Sequence, residues 1–140
     1  MEDFEKKVEE NKKRNEKYLN QFENWLNDKE LSPKTIQKHV GNMDFYLNVY
    51  LNYYEITPME EGIYDAYSFL SDWFIRKCIA SKTSIKENAA SIKKFYECMS
   101  EFGYVSLSDY KELSKELKDS MNEFLEVLEE YYNGTYYDMF

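Results

Sequence analysis

The chain contains few of the residues that break helices, form tight turns or cross-link a fold. Its 140 residues include 4 glycines and 2 prolines, too few for the many tight turns of a β-rich protein. The two cysteines, Cys78 and Cys98, do not form a C-x-x-C motif, and no histidine lies near either of them in the sequence. Neither a disulfide framework nor a zinc site is indicated, so we predict an all-α protein with reduced cysteines.

Long apolar runs are also missing. No stretch approaches the roughly 18 consecutive apolar residues of a membrane-spanning helix. Residues 1–14 are charged throughout and lack the apolar centre of a signal peptide. We therefore expect a cytoplasmic protein that has no membrane partner.

The side chains that catalysis requires are scarce. His39 is the only histidine, and nothing in its sequence context suggests a catalytic base, so we expect it on a helix surface. The sequence has no glycine-rich phosphate loop and no Glu-x-x-His pattern for a pair of metal ions. Its carboxylates stand at helical spacing from lysines, as on solvated helix faces. We predict a protein that is not an enzyme and that uses no metal, cofactor or small-molecule substrate.

The hydrophobic residues recur at helical spacing along most of the chain. The pattern predicts five helices, at about residues 3–27, 33–54, 63–80, 81–103 and 106–132, with the first half of the first helix projecting from the domain or packing only loosely. The sequence also carries helix-start signals at Ser32-Pro33, Thr57-Pro58 and Ser84 with Glu87, and helix-stop signals at Gly103 and Asn133-Gly134. We treat residues 1–140 as a single helical domain.

Positive charge is concentrated in one part of an acidic protein. The net charge is −9, yet residues 76–94 hold six basic groups and one acidic group. Lys82, Lys86 and Lys93 fall within an arc of about 40° on the predicted fourth helix. Lys34 and Lys38 lie in the first turns of the second helix. Helix starts that carry lysines can bind phosphate groups, although these lysines also fit solvated faces that balance an acidic protein.

An unusually large number of aromatic residues, 14 Tyr, 9 Phe and 2 Trp, suggests an alternative. Some of them are not needed for the predicted core faces, and an apolar surface of this kind favours protein–protein contact. The alternative is a self-associating or protein-binding structural module without nucleic-acid binding. Its contact residues would be Phe45, Val49, Tyr136, Tyr137 and Phe140.

Several short motifs resemble one known family. They are LSPKTI at 31–36, ITP at 56–58, SKTSI at 81–85, IKKFY at 92–96 and FG at 102–103. Together they resemble the N-terminal core-binding (SAM-like) domain of tyrosine recombinases and phage integrases. The resemblance covers roughly residues 15–105, and no part of residues 106–140 resembles the catalytic domain of that family.

The resemblance implies an orthogonal four-helix bundle that holds one side of duplex DNA, followed here by a long acidic C-terminal helix and an aromatic tail at 106–140. The second and fourth helices would face the DNA groove. We therefore expect a non-catalytic, integrase-like DNA-binding module of the kind used in DNA recombination, which binds duplex DNA weakly. By position, the DNA-binding residues would be Lys34, Lys38, Lys82, Thr83 and Lys86, with Lys93 further along the same helix.

Overall fold

The computed structural model describes the backbone of residues 2–138 and the side chains of residues 2–134, and this part of the chain contains helices and no strand. The prediction of an all-α protein is confirmed. We number six helices. They are α1 (Glu2–Asp28), α2 (Pro33–Phe45, continued by a π-helical turn at Tyr46–Tyr50), α3 (Met59–Gly62), α4 (residues 66–77, with a π-helical turn at Phe69–Trp73), α5 (Lys82–Glu101) and α6 (Leu107–Asp138).

The starts of the two helices that carry the predicted lysines are fixed by serine caps. The Ser32 hydroxyl accepts a hydrogen bond from the Thr35 backbone N–H at 3.2 Å, and Pro33 occupies the first helical position, as predicted. In α5 the cap is Ser81, which exchanges hydrogen bonds with Ser84. The predicted pairing of Ser84 with Glu87 is wrong, because the Glu87 side chain bonds to α2 instead.

Other helix ends differ from the sequence prediction. Helix α3 begins at Met59 with Pro58 at its cap, so Thr57 is not the cap residue. Gly103 ends α5 with a left-handed φ of +83°, as expected. Gly134, by contrast, lies inside α6, which continues to Asp138. The predicted stop at Asn133-Gly134 is wrong, because a glycine ends a helix only where its backbone leaves the right-handed conformation.

One buried cluster includes side chains from all six helices. Two fully buried tyrosines join its layers. The Tyr46 hydroxyl donates to the Gly62 carbonyl at 2.6 Å, and the Tyr96 hydroxyl donates to the Met59 carbonyl at 2.8 Å. A Cβ at Gly62 would lie 2.5 Å from a Leu51 methyl carbon and 2.8 Å from the Tyr96 hydroxyl, so a larger residue would force these side chains to move. These bonds attach the short helix α3 to α2 and α5.

An aromatic group joins α2 to α4. The ring of Phe45 lies 6.5 Å from that of Phe69 and 5.9 Å from that of Trp73, measured between centroids. Phe45 is therefore half-buried between two helices. Its predicted role on a free self-association surface is wrong, whereas Val49, one turn further along α2, is exposed.

Helix α1 docks through asparagines in its first half. Asn11 and Asn15 are each 1% exposed, and their side-chain amides donate to the side chains of Asn52 and Asn48 at 2.9 and 2.8 Å. The prediction that the first half of this helix projects therefore fails from Asn11 onward. In the sequence, these residues are indistinguishable from polar surface positions.

Helix α5 lies between α2 and α6. Lys38 of α2 bonds to Glu87 of α5, and Asn42, four residues later in α2, bonds to Ser91, four residues later in α5. The two helices therefore run in the same direction at this contact. Helix α6 runs in the opposite direction, because Tyr110 near its start bonds to Glu97 and Tyr132 near its end bonds to the Ala80 carbonyl. Among the described residues, no helix is long and apolar enough to cross a membrane.

Candidate nucleic-acid interface

The starts of α2 and α5 lie at the same end of their shared contact. The pairs Lys38–Glu87 and Asn42–Ser91 are both separated by 49 positions in the sequence. Continuing this register back by one helical turn brings Lys34 level with Thr83. The two groups of predicted DNA-binding residues therefore lie near the starts of two helices that contact each other.

The predicted residues differ in exposure. Lys93 is half-buried, and the other five are exposed: Lys34, Lys38, Lys82, Thr83 and Lys86. On α5, the contact with α2 is made through Glu87 and the contact with α6 through Glu97. At about 100° per residue, Thr83 lies in the solvent-facing sector between these two flanks, Lys86 lies just beyond its α6 edge, and Lys82 and Lys93 lie closer to α6.

Lys94 also belongs to this sector, and the sequence analysis did not include it among the site residues. It follows Ser91 by three residues and lies on the α2 side of α5. It is also close enough to His39 of α2 to lower the pKa of that histidine. Lys93 and Lys94 are both half-buried. We call Lys34, Lys38, Lys82, Thr83, Lys86, Lys93 and Lys94 the cationic face.

Part of the acidic surface of α6 faces α4. Tyr64, which precedes α4, and Tyr67, in its first turn, bond to Asp109 and Glu123 of α6. Glu112 and Glu116 lie on the same flank. The opposite flank of α6, on the α5 side, carries Lys111, Lys118 and Glu129. Side chains of both charge signs therefore lie on the flank of α6 that is next to α5.

A buried polar group fixes the register between α2 and α5. His39 is 8% exposed, so its predicted surface position is wrong. Its Nδ1 lies 2.7 Å from the Ser91 hydroxyl, which also accepts a hydrogen bond from Asn42 at 3.0 Å and donates to the Glu87 carbonyl at 3.0 Å. His39 of α2 and Ser91 of α5 therefore share a buried hydrogen bond that links the two helices.

The surroundings of His39 favour the neutral imidazole. Burial lowers its pKa most, the positive charges of Lys94 and Lys38 lower it further, and only Glu87 acts in the opposite direction. A neutral histidine at this position links two helices by a hydrogen bond. It explains why a polar residue occupies a core-facing position on α2.

Glu87 is the only acidic residue in the segment 76–94. Its carboxylate lies 2.8 Å from the Lys38 ammonium group, and the two side chains are 37% and 47% exposed. A pair this exposed adds little to folding stability. Its main electrostatic effect is local, because it neutralises one lysine of the cationic face.

No other part of the described chain assembles a chemical site. Residues 2–134 contain no group of three or more His, Cys, Asp or Glu side chains that could hold a metal ion. Of the residues predicted for self-association, Val49 is exposed and lies near Tyr53 and Tyr54 in the sequence, which are also exposed. Tyr136, Tyr137 and Phe140 lie outside the residues whose side chains are described.

Comparison with known protein families, with curated proteins and with solved structures finds no match for this chain. The resemblance to the core-binding domain of tyrosine recombinases therefore rests on the sequence motifs alone. What the chain binds has to be argued from its own geometry and charge.

Proposed function

We propose that this protein is a non-catalytic helical module that binds duplex DNA through its cationic face. The observation that supports this proposal is the contact between α2 and α5 near both helix starts, where Lys38 bonds to Glu87 and Asn42 bonds to Ser91. Two adjacent helix N-termini with exposed ammonium groups suit neighbouring phosphates of one DNA strand.

The chemistry of the face indicates the type of binding. Lysine ammonium groups contact phosphate oxygens and fix the position of a protein on DNA without reading its sequence. The rest of the molecule is acidic and repels DNA, which limits binding to this face. We expect weak, salt-dependent binding, with a dissociation constant of about 10⁻⁴ to 10⁻⁶ M at physiological salt.

The integrase-like architecture is part of the same proposal. The motifs at 31–36 and 81–96 contain the starts of α2 and α5, which are the helices that face DNA in the family that they resemble. Both the lysine positions and the serine-capped helix starts are compatible with an orthogonal four-helix core-binding arrangement. The proposal does not depend on that arrangement, because it requires only the cationic face.

The test is titration of a labelled duplex of about 20 base pairs by fluorescence anisotropy at several salt concentrations. We expect the logarithm of the affinity to fall linearly with the logarithm of salt concentration. The triple variant Lys34→Gln/Lys82→Gln/Lys86→Gln should lose most binding. It should also reduce the salt slope by about 0.9 for each lysine that contacts a phosphate.

A matched variant separates local contacts from net charge. Lys6→Gln/Lys7→Gln/Lys13→Gln makes the same change in charge on exposed positions in the first half of α1. Its binding should resemble that of the unmodified chain. Equal losses in both triple variants, or no binding by the unmodified chain at low salt, would refute the proposal. A dimeric mass in solution without DNA binding would instead favour self-association through exposed residues such as Val49.

A further inference from the structure

The turn between α4 and α5 contains a residue whose backbone and side chain are both unfavourably placed. Ile79 has a φ of +48°, in the left-handed region that glycine adopts easily and β-branched residues avoid. Its side chain is also 89% exposed, the largest exposure among the large hydrophobic residues whose side chains are described. Neither the backbone conformation nor the solvent exposure favours isoleucine here.

Two other helix ends show what this position normally requires. Helix α5 ends with Gly103 at φ +83°, and the chain after α1 turns at Glu30 with φ +61°. Glycine avoids the steric clash of a Cβ, and glutamate at least presents a polar side chain to water. Ile79 has a Cβ that clashes in this conformation and an apolar side chain in water. The folded chain alone therefore provides no reason for isoleucine at this position.

The backbone around Ile79 is held on both sides. The Cys78 N–H donates to the Phe74 carbonyl at 3.0 Å, and the Ala80 carbonyl accepts a hydrogen bond from the Tyr132 hydroxyl at 2.9 Å. Ala80 itself is buried. The exposed isoleucine is therefore presented from an anchored turn. Strained, anchored positions of this kind are found preferentially at functional sites.

The charges near Ile79 indicate the chemistry of its partner. Residues 76–83 include Arg76, Lys77 and Lys82 and no acidic residue, and Arg76 is paired with Asp72 at 2.7 Å, so the free cations beside Ile79 are the two lysines. Lys82 follows Ile79 by three positions, which keeps their Cα atoms within about 11 Å of each other. An apolar side chain flanked by cations complements a partner that has phosphates on its surface and apolar faces between them, which describes the stacked bases of duplex DNA.

We propose that Ile79 is an apolar wedge that enters a DNA groove and partly unstacks a base step beside the phosphates held by the cationic face. This inference rests on the proposed DNA binding and adds a residue that contacts bases. Side chains that act in this way on DNA are typically Phe, Leu, Ile, Met or Pro. The anchored turn presents the side chain in place before binding, so little ordering is needed when DNA is bound.

The variant Ile79→Asn tests the wedge, because it should change stability and binding in opposite directions. Asparagine tolerates the left-handed conformation and exposure to water, so the melting temperature should rise by about 2 to 5 °C. Affinity for a duplex should fall about tenfold, because the apolar contact is lost. Ile79→Leu keeps an apolar side chain and should bind within about twofold of the unmodified chain.

A direct readout of unstacking uses a duplex that contains 2-aminopurine, whose fluorescence rises when its base stack opens. Placed at successive positions, the probe should brighten at one or two adjacent steps with the unmodified chain and with Ile79→Leu. With saturating Ile79→Asn protein, the fluorescence of the probe should not rise at any position. The control Leu107→Asn removes another exposed aliphatic side chain, at the start of α6 and away from the turn that holds Ile79, and should change neither affinity nor fluorescence.

The outcomes separate this inference from the proposed function. If the lysine variants weaken binding and Ile79→Asn binds and brightens the probe like the unmodified chain, the wedge is wrong and DNA binding stands. If Leu107→Asn weakens binding as much as Ile79→Asn, the effect is not specific to the turn and the wedge is also wrong. If the unmodified chain binds no duplex at low salt, both proposals fail.

Discussion

At the scale of single residues, the described structure depends on polar side chains buried between helices. His39, Asn11 and Asn15 lie at helix contacts, and each bonds to a partner more than 30 positions away in the sequence. A buried polar group costs free energy unless it is hydrogen-bonded, so each of them ties its helix to one partner position.

His39 makes stability dependent on pH. Its pKa in the folded chain lies below the ordinary value of 6.5, so below that pH the unfolded chain takes up a proton that the folded chain resists. The free energy of unfolding should be unaffected by His39 above about pH 7 and should fall as pH decreases below 6.5, with a slope of at most about 1.4 kcal/mol per pH unit.

Urea denaturation between about pH 5.5 and 7.5 measures this effect. Because His39 is the only histidine, the variant His39→Gln should be less stable at pH 7.5 and should lose most of the pH dependence in this range. If its pH dependence equals that of the unmodified chain, His39 is not the group responsible.

At the scale of helices, starts could be predicted from sequence better than ends or burial. Ser32 and Pro33 act on the backbone within three residues, so the start of α2 follows from local sequence. The end of α2 in a π-helical turn, and the continuation of α6 past Gly134, depend on how whole helices pack. The lysine positions could be predicted for the same local reason. How the lysines of α2 lie relative to those of α5 could not, because it depends on how the two helices pack.

The packing of α2 against α5 makes Glu87 a local inhibitor of the proposed DNA binding. Its carboxylate neutralises Lys38 and would lie close to a bound phosphate. The variant Glu87→Gln should bind a duplex about three to ten times more tightly. Its salt slope should be steeper by about 0.9, because Lys38 becomes available to a phosphate.

The matched control is Glu101→Gln. It makes the same change in net charge on the same helix, but about 21 Å further along its axis. It should leave affinity and salt slope nearly unchanged in the same anisotropy titration. Equal gains in the two variants would show that net charge, and not the Lys38–Glu87 pair, controls binding.

At the scale of the whole molecule, α6 is part of the core. Its side chains Leu113, Leu117, Phe124 and Leu128 are buried in the same cluster as those of the other helices. The sequence analysis described this region as an acidic helix that follows a core-binding-like unit. Its apolar stripe was visible in the sequence, but the surface that it covers was not, because α5 provides that surface from a separate part of the chain.

We therefore expect the chain to unfold in a single transition. Leu117→Ala should lower the free energy of unfolding by about 2 to 5 kcal/mol, because it leaves a cavity at a fully buried position. The unfolding transition followed by circular dichroism, which reports on all helices, should coincide with the transition followed by the fluorescence of Trp25 in α1 and Trp73 in α4. Leu107→Ala, at an exposed position of the same helix, should change stability by less than about 0.5 kcal/mol. Two separate transitions would show that α6 is an appendage.

The asparagine pairs that join α1 to the end of α2 and to the turn after it have a further consequence for folding. Asn11 meets Asn52 and Asn15 meets Asn48, an arrangement in which the two helices run in opposite directions. If α1 slid by one turn, at least one of these amides would be buried without its hydrogen-bond partner. An apolar interface would tolerate such slippage, but this one admits a single alignment, so misaligned intermediates should be short-lived.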